Sequence, residues 1–333
     1  MPAPSWSISR DNAEMSEALP YSISRPRVPP QVTVYEVGPR DGLQNEKATV
    51  PTDVKIAFIE KLADAGLCAI EVTSFVKASA VPQLADAAEV VKGVRRRSGL
   101  RLPVLVPNMK GFEAAREVGV REVAVFTAAS ETFNRKNINC GIEESIERFR
   151  PVVAAAAEDK IRVRGYISTA FGCPFEGRIE PESVREVVHM LLDLGIEEIS
   201  IGDTIGVATP NQVYDVIETL YASGVTRDVI ALHFHDTRGT ALSNVCAGLD
   251  CGVTIFDSSA GGLGGCPFAP GATGNVATED LLYLLEGLGV STGVSLSGVA
   301  EASLYLADAT GRVPPSRYLA ARLGESRRYE EAG

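Results

Sequence analysis

The chain has 333 residues, of which 45% are hydrophobic, and a formal net charge of −11 at pH 7. No basic stripe offsets that balance, and the densest cationic run, Arg95 to Arg97, reads as a solvated helix end, so nucleic acid is not an expected partner. No stretch approaches the roughly 18 apolar residues that span a bilayer, so no membrane partner is expected either. The six cysteines, Cys68, Cys140, Cys173, Cys246, Cys251 and Cys266, contain no CxxC pair, which points to a reducing compartment rather than a disulfide framework. Residues 1–30 are rich in Ser, Pro and charge, with Asp11, Glu14 and Glu17 and no apolar signal core, and a cytoplasmic location is expected. They read as a polar tail, residues 315–333 as a second one, and 31–314 as a single catalytic domain.

Along the body, short apolar runs alternate with longer helical patterns. The runs predicted as strands are 32–37, 67–74, 102–108, 122–130, 163–169, 197–203, 229–236 and 252–259, rich in β-branched residues and flanked by Gly or Pro. Helical periodicity fills the gaps. VKIAFIEKLADAG (54–66) places Ile56, Ile59 and Leu62 or Ala63 on one face and stops at Gly66; the patterns at 182–195 and 211–224 stop at Gly195 and Gly224. Eight strand–helix units in this length predict an α/β fold, specifically a (β/α)8 TIM barrel. A doubly wound sheet is the alternative, but no GxGxxG follows the first strand; GPRDG stands there instead.

A barrel of this kind does its chemistry at the C-terminal ends of the strands. Polar residues fall there: Arg40 and Asp41 after the first strand, Glu71 and Ser74 on the second, Tyr166 and Ser168 late in the fifth, Asp203 ending the sixth. The chain has only three histidines, and two of them, His233 and His235, end the seventh strand. Residues i and i+2 of a strand face the same way, so both imidazoles point to one side and can clamp a divalent metal. Asp41 and Asn275 can converge on the same rim. Two imidazoles with oxygen donors and no thiolate favour Mg²⁺ or Mn²⁺ over Zn²⁺. His189, in a helical pattern, reads as structural or exposed. The Gly-rich GGLGGCPFAPGATGN (261–275) after the last strand has the composition of a lid, and Cys266 within it is a candidate acid, base or nucleophile. In GPRDG the roles divide: Asp41 for the metal, Arg40 for negative charge developing on an oxygen.

GPRDGLQNE, KNINC (136–140), GDTIG (202–206), HFHDTRG (233–239) and the cysteine loop together resemble the signatures of the 3-hydroxy-3-methylglutaryl-CoA lyase family, over about residues 31–310. RDG and HxHD are shared with the related isopropylmalate and citramalate synthases, whereas GPRDGLQNE and the cysteine loop are more specific to the lyases. The resemblance implies metal ligands at Asp41, His233, His235 and Asn275, an enolate-stabilising Arg40, a catalytic Cys266, and acidic site residues at Glu71 and Asp203. It implies cleavage of hydroxymethylglutaryl-CoA to acetyl-CoA and acetoacetate, as in leucine degradation; that reaction needs a base for the C3 hydroxyl proton, and Asp203 or His233 is the candidate. It also suggests a homodimer. Ser74, Tyr166 and Ser168 are expected to meet the acyl-CoA substrate along with Arg40, and Lys47, Lys110, Arg135 and Lys136 are candidates for its nucleotide. A lyase for a larger branched homologue and a Claisen-type synthase stay open as alternatives.

Overall fold

The computed structural model describes residues 28–46, 49–265 and 274–332. Among these are nine strand segments: β1 (Thr33–Glu36), β2 (Ala69–Ile70), β3 (Thr73–Ser74), β4 (Val104–Leu105), β5 (Glu122–Ala128), β6 (Arg162–Ser168), β7 (Glu198–Asp203), β8 (Ile230–Phe234) and β9 (Ile255–Ser258). All neighbours pair in parallel, in the order β2-β1-β9-β8-β7-β6-β5-β4-β3. The two ends of this order are halves of one strand. Only Glu71 and Val72 separate them, and the two amides reach opposite neighbours, Glu71 N donating to Glu36 O (2.8 Å) and Val72 N to Pro103 O (3.0 Å). The sheet therefore closes on itself as an eight-stranded barrel, with the second strand interrupted where it serves both sides. The predicted barrel is borne out.

Helices α1 (Thr52–Asp64), α2 (Ala87–Gly93), α3 (Met109–Glu117), α4 (Glu131–Ile138), α5 (Ile142–Glu158), α6 (Pro181–Asp193), α7 (Pro210–Ala222), α8 (Ala241–Asp250), α9 (Thr278–Gly287), α10 (Leu296–Thr310) and α11 (Arg317–Ala332) surround it. The buried face of α1 is Lys55, Phe58, Ile59 and Leu62, while Ile56 is only half-buried. The stripe has rotated by one residue from the sequence reading, because it centres on the bulky Phe58. Gly66 follows α1 at φ +100°, and a Cβ there would collide with the Gly293 carbonyl oxygen, so the left-handed stop requires glycine. Beyond residue 314, α11 docks by Leu319, which is fully buried against Ala300 and Leu304 of α10.

Strand alternation divides the side chains into two populations. Those facing the helices are aliphatic: Ile70, Val104, Val123, Val125, Ile167, Ile199, Ile201 and Leu232 form the main core. Those facing the barrel axis are largely polar and buried, among them Glu71, Glu122, Arg164, Glu198, Ser200, His233 and Asp257. Buried charges persist only when paired, and here they run as a connected chain through the barrel to its C-terminal mouth.

Candidate active site

The mouth is built first by the turn after β1. Val37 O accepts from the amides of Arg40 (3.1 Å), Asp41 (2.7 Å) and Gly42 (3.3 Å); the last closes the π-helical turn Gly38–Gly42, and the Arg40 and Asp41 side chains aim inward. Gly38 is required because a Cβ would sit 2.5 Å from Glu36 Oε1. Arg40 Nη1 donates to Asp41 Oδ1 (2.7 Å) and Nη2 to Glu71 Oε2 (3.1 Å). Tyr166 OH donates to the same Glu71 oxygen (2.6 Å), leaving Glu71 Oε1 buried without a partner. Burial disfavours the Arg40 charge, but Glu71 and Asp41 outweigh it and raise its pKa above the usual arginine value. Burial likewise opposes ionisation of Asp41, yet Arg40, His233 and His235 hold that carboxyl below the usual range.

The two histidines face the axis together, with ring centroids 5.3 Å apart. Asp41, His233 and His235 are all buried and each offers one ligand atom, all within 4.8 Å of one another. Asn275 bridges His235 through the backbone. Its Nδ2 donates to Asp41 Oδ2 (2.8 Å) and Leu263 O (3.1 Å), so its Oδ1 remains as a buried oxygen with no hydrogen-bond partner. His235 Nδ1 is likewise buried and unpartnered, and burial lowers its pKa to about 4, which keeps the ring neutral and its lone pair available. Orphaned nitrogen and oxygen donors beside an ionised carboxylate are what a divalent ion needs, so these residues fit a metal. Removing one ligand tests this directly. His235→Ala should lower Mn²⁺ affinity by at least about tenfold, and wild-type metal content by elemental analysis after dialysis would refute it.

A residue set unread in the sequence supports this centre. His233 Nδ1 lies 3.2 Å from Asp257 Oδ2, which orients the ring and leaves Nε2 for the mouth. Burial would raise the Asp257 pKa, but Arg164 and His233 lower it to about 2. Arg164 donates to Asp257 Oδ1 (2.7 Å) and Tyr166 OH (2.8 Å), pairs with Glu198 (2.8 Å), and lies over the Tyr35 ring at 3.8 Å. The available signal was strand parity: Arg164 is two residues before Tyr166, and an axis-facing arginine demands an acidic neighbour. Glu36 and Glu279 were missed too. Glu36 accepts from Gly38 N, Ala260 N and Thr278 Oγ1, and Glu279 from Gly261 N and Ser303 Oγ. Burial raises Glu36 to about 7 and Glu279 to about 8. Together they clamp the turn from which the Gly-rich segment departs.

Asp203 lies close enough to His233 for the two charges to act on each other. Asp203 has the opposite strand parity to Ser200 and Gly202, and its two oxygens accept from Val207 N (2.9 Å) and Ala208 N (3.0 Å), shaping the following loop; burial raises its pKa to about 6. Ser74 has the opposite parity to Glu71, whereas Ser168 shares that of Tyr166. His189 Nε2 meets Ser223 Oγ at 3.0 Å, far in the chain from the mouth. Cys266 and Lys47 lie outside the described residues.

A buried Asp–His–His set with an amide oxygen, at the C-terminal mouth of a closed parallel α/β barrel, defines a candidate metal-dependent barrel enzyme. A family model described as HMGL-like matches residues 31–305, and the chain belongs to that family. It is 51% identical over 292 residues to the mouse protein named 3-hydroxy-3-methylglutaryl-CoA lyase, cytoplasmic, spanning 88% of this chain and 85% of the relative. It is 52% identical over 290 residues to mouse hydroxymethylglutaryl-CoA lyase, mitochondrial, spanning 87% of this chain and 89% of the relative. The crystal structure of hydroxymethylglutaryl-CoA lyase from Pseudomonas aeruginosa superposes with a TM-score of 0.88 at 50% identity, covering 90% of this chain and 99% of that one. Cytoplasmic and mitochondrial relatives are thus equally similar. Among the described residues no helix is long and apolar enough to cross a membrane.

Proposed function

We infer that this chain cleaves 3-hydroxy-3-methylglutaryl-CoA to acetyl-CoA and acetoacetate, with Mg²⁺ or Mn²⁺ as its metal. The observation that carries this reading is the convergence of Asp41, His233, His235 and the open Asn275 Oδ1 beside Arg40, in a chain about half identical to lyases of that substrate. Asp41, His233, His235 and Asn275 would hold the ion. When bound, it supplies Lewis-acid polarisation of substrate oxygens.

The remaining steps belong to side chains. The C3 hydroxyl proton must go to a base. His233 has one nitrogen turned to Asp257 and the other toward the metal position, and both Asp203 oxygens already accept backbone amides. Glu71 Oε1 is buried, axis-facing and unpartnered, so Glu71 is the acceptor the geometry favours. As the proton leaves, the C3–O bond becomes a ketone and the C2–C3 pair passes to the thioester as an enolate. Arg40, charged and held by Glu71 and Asp41, stabilises the enolate oxygen. Cys266 gives the proton to C2. Cys266→Ala should retain metal and substrate binding but lose about 10²-fold or more in turnover; unchanged turnover removes Cys266 from the reaction.

The reaction itself is tested by incubating purified protein with hydroxymethylglutaryl-CoA and Mg²⁺, with and without chelator, and following both products by mass spectrometry. Chelator-sensitive formation of both products is expected. Metal binding without cleavage would overturn the substrate assignment.

A further inference from the structure

A cationic concavity lies well apart from the mouth. At the opposite, N-terminal end of the barrel lies a cavity of about 340 Å³. Five arginines line it, Arg96, Arg97, Arg101, Arg121 and Arg162, against a single acid, Glu122. In a chain with a net charge of −11 this concentration needs an explanation. Three of the five have carboxylate partners: Arg97 pairs with Glu60 and Asp64, Arg101 with Glu122 and Glu198, and Arg162 with Glu198. Arg96 and Arg121 have none among the described residues. Arg96 donates only to the carbonyls of Val118 (3.3 Å) and Gly119 (2.6 Å), which anchor the guanidinium at the cavity without neutralising it.

Structural pairing explains the first three arginines and leaves two positive charges over a pocket. Behind them the walls are apolar, formed by Val72, Val94, Leu100 and Val120. A cationic lip over an apolar floor matches a molecule with an anionic head and a short hydrocarbon body. Guanidinium and carboxylate meet in a two-pronged geometry that an isolated point charge cannot reproduce. The size is near the lower limit of the roughly 300–1,000 Å³ typical of small-molecule sites, which suits a body of a few carbons.

We propose that this cavity is a binding site for a short-chain carboxylate, separate from the metal centre. The test uses the full chain and butyrate as the probe, followed by isothermal titration calorimetry and saturation-transfer NMR, with inorganic phosphate as an anion lacking the apolar body. Saturable 1:1 binding of butyrate is expected, with phosphate at least tenfold weaker. Arg96→Ala/Arg121→Ala should weaken butyrate at least tenfold while retaining turnover, because both side chains are exposed and lie at the far end from the mouth. Val94→Phe, which fills the floor, should do the same with both arginines intact. No saturable binding, or unchanged affinity in the arginine variant, would overturn the site. Phosphate binding as tightly as butyrate would overturn the carboxylate class. None of these outcomes depends on the lyase assignment, which the product assay tests alone.

Discussion

Asp257→Ala is expected to lose both stability and metal affinity. Asp257 is 2% exposed and accepts from Arg164, Ser200 and His233. Removing it leaves the Arg164 guanidinium, 1% exposed, with Glu198 as its one remaining carboxylate partner among the described residues. Breaking a buried charge pair from one side costs about 3–5 kcal/mol. The denaturant midpoint should fall by a corresponding amount with little change in slope. His233 simultaneously loses the group that holds its ring, and deleting such outer partners lowers metal affinity about 10–100-fold. Asp257→Asn separates the two effects. The amide oxygen can still accept from His233, so metal affinity should drop less than in the alanine variant, while Arg164 still loses the charge of one of its two carboxylate partners. Unchanged Mn²⁺ affinity in Asp257→Ala would show that the contact with His233 has no bearing on the centre.

Arg40→Met should reduce kcat by about 10²–10³, the usual cost of removing a donor to a developing oxyanion. Methionine approximates the volume and removes the charge. Because Arg40 also holds Asp41, the variant must be read together with its metal content. If Arg40 acts on substrate, kcat falls while Mn²⁺ affinity changes only a few-fold. A parallel fall in both would mean that Arg40 works through Asp41 and does not stabilise the enolate. Arg40→Lys should recover little, since one ammonium cannot span Asp41 and Glu71 as the two guanidinium nitrogens do, at 2.7 and 3.1 Å.

Much of this molecule is legible without coordinates, for reasons that can be named. Ile199, Ile201 and Leu232 advertise strands, Gly66, Gly195 and Gly224 advertise helix ends, and their alternation leaves few folds other than a parallel barrel. His233 and His235 share a side through strand parity alone, a property of two adjacent residues rather than of the fold. The interruption at Glu71 and Val72 was not legible, because it arises only when the barrel closes and one strand must serve two neighbours. Nor did the apolar look of the strands announce Arg164 and Asp257, whose partners lie on strands far away in the chain.

By itself, the sequence determined the barrel, the facing histidines, the Arg–Asp turn and the family they resemble, because each rests on local spacing or on a contiguous motif. Only the tertiary structure decided how the acids are oriented around the mouth. It turned Glu71 toward the axis with one oxygen open, turned Asp203 to its own loop, and set Asp257 behind His233. Those choices depend on strand register around a closed ring, where a buried charge is stable only opposite its partner, and that pairing is a property of residues distant in the chain.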